Sequence, residues 1–325
     1  MKVMVTGSTG FIGRRVGALW RAAGDTVLEF DRALDARDDV TGLARVTARM
    51  SGCDVVVHLA AKVGLGVDLR DLDGYARDND VGTAVVLRAA GETRVPRLVF
   101  ASSMVVYGEG RYTCSRHGRV RPAQRTAEDL VAGRFDPRCP RCGGELEPGL
   151  TPEDAPLDPR NAYAATKVHG EHLGAVWATE TGGTFVALRL HNVFGPGLPR
   201  NTPYAGVAAL FASSIERGDP PQVLEDGRQR RNFVHVDDVA RSVVAAGTVP
   251  LPAGFTAVNV GSPWVTTIGE LAAHLSRTAS GPAPEVTRRY RLGDVRHITA
   301  DCRAAEAVLG WRARLRLGQP GVSAL

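Results

Sequence analysis

At 325 residues, with 44% hydrophobic and 23% charged side chains, the chain is long enough to bury a full core and too apolar to be disordered. No run of 18 apolar residues occurs, and Met1 leads straight into Val3-Met4-Val5 without the charged, apolar and cleavage regions of a leader, so a cytoplasmic enzyme with no membrane span is expected. The net charge of +5 comes from arginines scattered through the whole chain, which points to anionic small ligands rather than nucleic acid.

Lys2 to Thr6 is a short apolar strand leading into Gly7-x-x-Gly10-x-x-Gly13. A helix pattern follows, with Ile12, Val16, Leu19, Trp20 and Ala23 on one face and Gly24 as its stop. Strand, glycine turn and helix in this order form a dinucleotide-binding unit, because the backbone can approach a pyrophosphate held at the positive helix end. Thr26 to Phe30 reads as a second strand ending at Asp31. A carboxylate there accepts ribose hydroxyls and repels a 2′-phosphate, which favours NAD over NADP. A third, abbreviated strand is expected near Leu34-Asp35-Ala36, then a helix from Val40 to Met50 and a buried parallel strand from Asp54 to Ala61. His58 within that strand reads as a satisfied core histidine. A small-residue loop, Val63-Gly64-Leu65-Gly66, lies where a cofactor can approach the backbone, and a helix from Asp78 to Ala90 is stopped by Gly91. Leu98 to Ser102 is the next strand, and it delivers Ser103 to the carboxyl edge where open α/β sheets bind ligands.

Gly108 to Leu150 carries clustered cysteines, which point to a metal rather than to disulfides. Cys114-x2-His117 and Cys139-x2-Cys142 are separated by 21 residues and supply four ligands suited to a closed, tetrahedral, structural zinc site. Asn161-Ala162-Tyr163-Ala164-Ala165-Thr166-Lys167 follows, placing a phenol and an ammonium four apart on one helix face. Lys167 is one of only three lysines. A nearby cation stabilises phenolate, so Tyr163 is expected to be drawn toward the range of a general base. The helix fades at Gly182-Gly183, Phe185 to Leu190 returns as a strand, and Thr267-Ile268-Gly269-Glu270 is a capping box.

Together the glycine loop, Asp31, His58-Leu59-Ala60-Ala61, Ser103 and Tyr163-x-x-x-Lys167 resemble the extended short-chain dehydrogenase/reductase family, the NAD-dependent sugar-nucleotide epimerases and dehydratases. The resemblance implies an α/β fold: a Rossmann-type doubly wound parallel sheet, a smaller C-terminal substrate domain and the zinc-knuckle insertion. The expected division is residues 1–190 for NAD, with 109–150 inserted and 232–262 returning to it, and 191–325 for the sugar nucleotide. Ser103, Tyr163 and Lys167 are then the catalytic set. Gly7, Gly10, Phe11, Ile12, Gly13, Asp31, Asp35, Ala36, Leu59, Ala60, Ala61, Asn79, Tyr163 and Lys167 are the implied NAD contacts. Val63, Ser103, Asn192, Arg231 and Arg291 are the implied substrate contacts, the two arginines holding the diphosphate by paired bonds.

Departures from the family pattern narrow the reaction. Members that eliminate water or decarboxylate carry an acid one or two places after the catalytic serine or threonine, whereas here Met104 and Val105 stand there. His191 replaces the usual aromatic beside Asn192, and Asn232 stands where relatives usually have Asp. The insertion, the segment 201–207 and Arg291-x-Gly293-Asp294-x-Arg296-His297 resemble the dTDP-L-rhamnose 4-epimerase branch. The expected activity is inversion of carbon 4 of an NDP-sugar through a transient 4-keto intermediate, on a dTDP-6-deoxyhexose such as dTDP-L-rhamnose, by a homodimer. An NDP-4-keto-sugar reductase, a dehydratase, and a non-catalytic NAD-binding interaction module are the alternatives.

Overall fold

The computed structural model describes residues 1–64, 69–199 and 206–323. Leu65, Gly66 and residues 201–205, singled out above, lie outside the described residues. The first half runs β1 (Lys2–Thr6), α1 (Phe11–Ala22), β2 (Thr26–Phe30), α2 (Leu43–Met50), β3 (Val55–His58), α3 (Leu72–Tyr75), α4 (Gly82–Glu92) and β4 (Arg97–Ser103). The insertion holds β5 (Arg111–Cys114), β6 (Gly118–Val120), α5 (Ala127–Val131) and β7 (Glu147–Gly149). Then come α6 (Ala162–Thr181), β8 (Thr184–Leu190), β9 (Asn192–Phe194), α7 (Val207–Glu216), β10 (Gln222–Val223) and β11 (Arg230–His235). The chain finishes with α8 (Val236–Thr248), β12 (Gly254–Val260), β13 (Val265–Thr267), α9 (Ile268–Thr278), β14 (Glu285–Val286) and α10 (Arg303–Leu309).

Six parallel strands form one sheet in the order β12-β8-β4-β3-β1-β2. Their near-continuous apolar runs are explained by helices on both faces. Alternate residues serve opposite layers. Val3, Val5, Val55, Val57 and Val99 meet α1 and α8 through Val16, Trp20, Val239 and Val243. Met4, Val56, Leu98, Phe100 and Phe185 meet α2, α4 and α6 through Met50, Val86, Leu87 and Trp177. Because β1 pairs with both β2 and β3, the winding reverses there and opens a crevice at the carboxyl ends of the strands.

Residues 236–260 return to this body, α8 against α1 and β12 beside β8, and Trp311 packs on the same core. A second core gathers Phe194, Phe211, Phe233 and Leu271 around a sheet of β9, β11 and β13 with α7 and α9. The insertion folds as an antiparallel sheet, β6-β5-β7, over a cluster of only Tyr112, Cys114, Val120, Cys139 and Leu146.

Three sequence expectations are corrected. No strand forms near Leu34-Asp35-Ala36, because aspartates close turns there: Leu34 and Asp35 bond back to the carbonyl of Asp31, and Arg37 N–H bonds to Asp35 Oδ1. The strand that follows β2 is instead Val55–His58, on the other side of β1. The helix expected from Val40 begins at Leu43, since Asp39 Oδ1 accepts from Thr41 N–H and holds a turn. The helix expected at Asp78 is preceded by a π-helical turn, Ala76–Val81, and runs through Gly91 to Glu92.

Candidate active site

The glycine loop is built by close approach. Gly7 has φ +67°, and a Cβ there would lie 2.8 Å from Ala60 N; a Cβ on Gly13 would lie 2.2 Å from the Gly7 carbonyl. Only hydrogen fits at both places, so the loop is drawn tight against Leu59 and Ala60. Helix α1 then starts at Phe11, after Gly10 as N-cap, without a side-chain cap or an acidic first turn, so its first N–H groups are available to an anion. A cavity of about 520 Å³ lies over Thr9, Gly10, Phe11 and Arg14, with Pro196 and Gly197 on its far side. Asp31 stands at the loop's edge, accepting from Thr9 N–H and Oγ1 at 3.0 and 2.7 Å and from Ala33 N–H at 3.0 Å. Burial pushes its carboxyl up, but these donors and Arg32 outweigh it and hold it below the usual value. A charged acceptor beside a cradle that admits no Cβ fits the ribose and pyrophosphate of a dinucleotide.

Not every expected NAD contact is placed alike. Asp35 lies in a turn and is ion-paired with Arg37 at 2.8 Å and Arg45 at 3.2 Å, with Ala36 exposed beside it. Asn79 is buried, and its amide accepts from Lys62 N–H at 2.7 Å and donates to the Lys62 carbonyl and Thr166 Oγ1 at 3.0 Å each. It therefore ties the loop carrying the half-exposed Val63 to helix α6. His58 is a satisfied core histidine: its ring meets Thr6 Oγ1 at 2.8 Å and Thr83 Oγ1 at 3.1 Å.

Ser103 ends β4 and caps the short 3₁₀ turn Met104–Tyr107, so its hydroxyl is fixed at the crevice. Helix α6 is capped by Asn161, whose Oδ1 accepts from Ala164 N–H at 2.8 Å, and it ends at Gly182 in the left-handed region. That cap sets the phase that turns Tyr163 and Lys167 to the same crevice. Lys167 Nζ donates to the Ala101 carbonyl at 2.7 Å and lies 5.5 Å from the Tyr163 ring centroid, while the Ser103 side chain is close enough to act on the Tyr163 phenol. The phenol is not drawn down as its neighbour cation led one to expect. Burial pushes Tyr163 up to about 12 against the opposing effect of the Ser103 side chain, and burial brings Lys167 down to about 8 against the pull of Glu171. In the protein alone, desolvation outweighs the ammonium.

Asn192 opens β9 with its buried Oδ1 unpartnered among the described residues, next to His191, whose two ring nitrogens are also buried and unpartnered among them. The register pairs Leu190 with Ser103, so both residues sit just beyond the catalytic strand end. Arg231 hydrogen-bonds the carbonyls of Arg230, Val295 and Arg296 at 2.8–2.9 Å and, among the described residues, no carboxylate. Burial lowers its pKa, the mark of a cation lacking full compensation. Arg291 is exposed on the adjoining turn.

The ligand atoms of Cys114, His117, Cys139 and Cys142 all lie within 4.8 Å of one another. Cys114 and Cys139 Sγ are each 3.5 Å from His117 Nδ1, and Cys114 Sγ is 3.8 Å from Cys142 Sγ; all these cysteines are free. Zinc bond lengths put the edges of a Cys₃His tetrahedron at about 3.5 to 3.8 Å, so the spacing fits that ion.

Two groups of buried charges escaped the sequence reading. Glu171, four residues after Lys167, pairs with Arg189, and Arg125 and Arg296 join the insertion to the C-terminal half through Glu225. Glu171 was detectable in principle as an acid one turn from Lys167 on a helix that must pack against the sheet. Nothing local marks the second group.

With this geometry in place, the chain matches the NAD dependent epimerase/dehydratase family over residues 3–130 and 143–261. It belongs to that family and is an NAD-dependent enzyme of the sugar-nucleotide epimerase class. It is 30% identical to a dTDP-L-rhamnose 4-epimerase of Burkholderia thailandensis over 97% of this chain and 92% of that protein. It is 28% identical to a UDP-glucose 4-epimerase of Mycolicibacterium smegmatis, covering 98% and 96%. Among solved structures it is similar to MoeE5 in complex with UDP-glucuronic acid and NAD, with a TM-score of 0.79, 27% identity and coverage of 98% and 96%. No helix among the described residues is long and apolar enough to cross a membrane.

Proposed function

We propose that the protein is an NDP-sugar 4-epimerase, acting on a dTDP-6-deoxyhexose such as dTDP-L-rhamnose. The observation that carries this reading is the gathering of Tyr163, Lys167 and Ser103 at the carboxyl end of β4, with Lys167 Nζ 5.5 Å from the Tyr163 ring and apolar Met104 and Val105 next after Ser103 in the chain. NAD, when bound, supplies reversible oxidation and reduction at carbon 4. Tyr163 takes the proton of the sugar 4-hydroxyl and later returns it, and Ser103 hydrogen-bonds the same oxygen. Lys167 lowers the cost of negative charge on the phenol oxygen while it is deprotonated. Gly7, Gly10, Phe11, Ile12, Gly13 and Asp31 hold the dinucleotide, and Arg231 with Arg291 and Asn192 holds the sugar nucleotide. Met104 and Val105 cannot move a proton, which favours epimerisation over loss of water.

The reading includes a structural zinc held by Cys114, His117, Cys139 and Cys142, supported by the gathering of their four ligand atoms within 4.8 Å of one another. It also includes a cytoplasmic homodimer, supported by the family resemblance.

The test is incubation with dTDP-L-rhamnose, UDP-glucose and UDP-glucuronate without added cofactor, followed by NMR of the products. A C4-inverted sugar with no net change in reduced nicotinamide is expected. In a parallel incubation supplied with NADPH, its stoichiometric consumption would make the enzyme a reductase, and loss of water in either incubation would make it a dehydratase. Tyr163→Phe is expected to abolish turnover while NAD binding persists; activity above a few per cent of wild type would remove Tyr163 as the base.

A further inference from the structure

The insertion is joined to the C-terminal half by buried charge. From the insertion side come Glu109, Arg125 and Asp136; from the other come Glu225, Asp226 and Arg296. Glu225 bridges the two arginines, one carboxylate oxygen to Arg125 at 2.7 Å and the other to Arg296 at 2.9 Å. Its backbone sits at φ +55°, a left-handed conformation unusual for glutamate, so the surrounding contacts hold it there. Arg296 is fully buried and also bonds Asp226 and, through Nε at 2.9 Å, Asp136.

These bonds converge on the segment 294–296. Arg125 Nη2 donates to the Asp294 carbonyl at 2.6 Å, and Glu109 Oε2 accepts from Arg296 N–H at 2.9 Å. The next two carbonyls, of Val295 and Arg296, are the ones that hold the Arg231 guanidinium at 2.8 and 2.9 Å. The segment is thus gripped by the insertion on one side and grips Arg231 on the other. A guanidinium bonds a diphosphate in pairs only when its plane is set beforehand.

We propose that the insertion clamps the arm that binds the sugar-nucleotide diphosphate, with Arg125 and Asp136 as its positioning residues. The proposal rests on reading Arg231 as a diphosphate ligand. The clamp acts on substrate affinity and not on the proton transfer at Tyr163, because none of its bonds reaches Ser103, Tyr163 or Lys167.

The experiment is calorimetric titration of dTDP, UDP and NAD into the enzyme as isolated, with steady-state kinetics alongside. Arg125→Met is expected to raise Kd for the nucleoside diphosphates about tenfold, within the usual range of coupling between sites. KM follows, while kcat and Kd for NAD stay near wild type. Asp136→Asn is expected to shift the same constants in the same direction by a smaller factor; its side chain is 60% exposed and Asn keeps its shape, and thermal unfolding checks that the variant is folded. Arg231→Ala is the control for the underlying reading. If it leaves diphosphate affinity unchanged, that reading fails and the clamp with it. If it weakens binding but folded Arg125→Met and Asp136→Asn bind as wild type, the clamp alone is overturned. Should Arg125→Met not fold, Asp136→Asn decides.

Discussion

Arg189 grips Glu171 through two parallel bonds, Nε to Oε1 at 3.0 Å and Nη2 to Oε2 at 2.7 Å, with both side chains almost fully buried. Arg189 is on β8, and Glu171 is one turn beyond Lys167 on α6. Glu171 Oε1 also accepts from Ser102, the neighbour of Ser103. One carboxylate therefore ties both strands to the helix that carries Tyr163 and Lys167, and it fixes the distance across which a proton has to move. The same arginine reaches Tyr107 Oη at 2.7 Å, and that phenol donates to Asn259 Oδ1 at 2.7 Å, extending the brace to β12.

Breaking this pair from one side leaves an uncompensated buried charge. Glu171→Gln is expected to lower the unfolding free energy by about 3 kcal/mol. The double variant Glu171→Leu with Arg189→Met should recover a substantial part of that loss, because two apolar groups need no partner. Urea unfolding of the variants measures both. A single-variant loss below about 1 kcal/mol would mean that the pair is solvated in solution.

The histidines give a pH dependence with a definite sign. Burial, aided by the charge of Lys167, holds His58 down at about 3, and burial with Arg231 holds His191 at about 3. Each is neutral in the folded protein, while the unfolded chain takes up a proton near the ordinary value of about 6.5. Stability from this source is complete above pH 6.5 and is lost as pH falls toward 3, at about 1.4 kcal/mol per pH unit for each histidine. Denaturant unfolding from pH 7 to pH 4 should show this slope, and His58→Asn should reduce it by one proton's worth. An unchanged slope in that variant would place a charged His58 in the folded state.

The glycine loop leaves no room for a methyl group. Gly13→Ala puts Cβ 2.2 Å from the Gly7 carbonyl and 2.9 Å from Ser8 backbone atoms, so the loop must open. A loss of about 1 to 3 kcal/mol of stability is expected from such overpacking, together with at least a tenfold weaker NAD affinity. Thermal unfolding and fluorescence titration with NAD check the two parts. Unaltered NAD affinity would show that the dinucleotide does not rest on this turn.

Features written into short stretches of chain were legible before the fold was known. The glycine turn, Asp31 and Tyr163-x-x-x-Lys167 each need only a few neighbouring residues to show their geometry. The strand expected at Leu34-Asp35-Ala36 failed because an aspartate side chain can close a turn as readily as a backbone can. The charge cluster was invisible for another reason. Arg296 meets Glu225 across 71 positions and Glu109 across 187, and no periodicity encodes such a meeting. Nor does spacing report burial. Lys167 was found beside Tyr163 as its position required, yet the phenol rises because the fold removes water from both.

The insertion tests whether four ligands can stand in for a core. Of the five residues in its buried cluster two are Cys114 and Cys139, so the apolar material is Tyr112, Val120 and Leu146, with Leu130 and Phe135 buried elsewhere in the insertion. That is too few to offset the ordering of some 40 residues at about 1 to 2 kcal/mol each. A structural zinc contributes about 10 kcal/mol or more in small isolated domains and would offset part of that cost, alongside the bonds of Arg125 and Arg296. One zinc per chain is therefore expected in protein purified without chelator, measured by elemental analysis. Cys139→Ser should lower that content and expose the insertion to limited proteolysis. Because the insertion leaves the body just after the Ser103 strand and rejoins it just before Tyr163, sugar-nucleotide binding should weaken more than NAD binding. A metal-free preparation that resists proteolysis in the insertion and keeps full activity would show that Cys114, His117, Cys139 and Cys142 hold the fold without an ion.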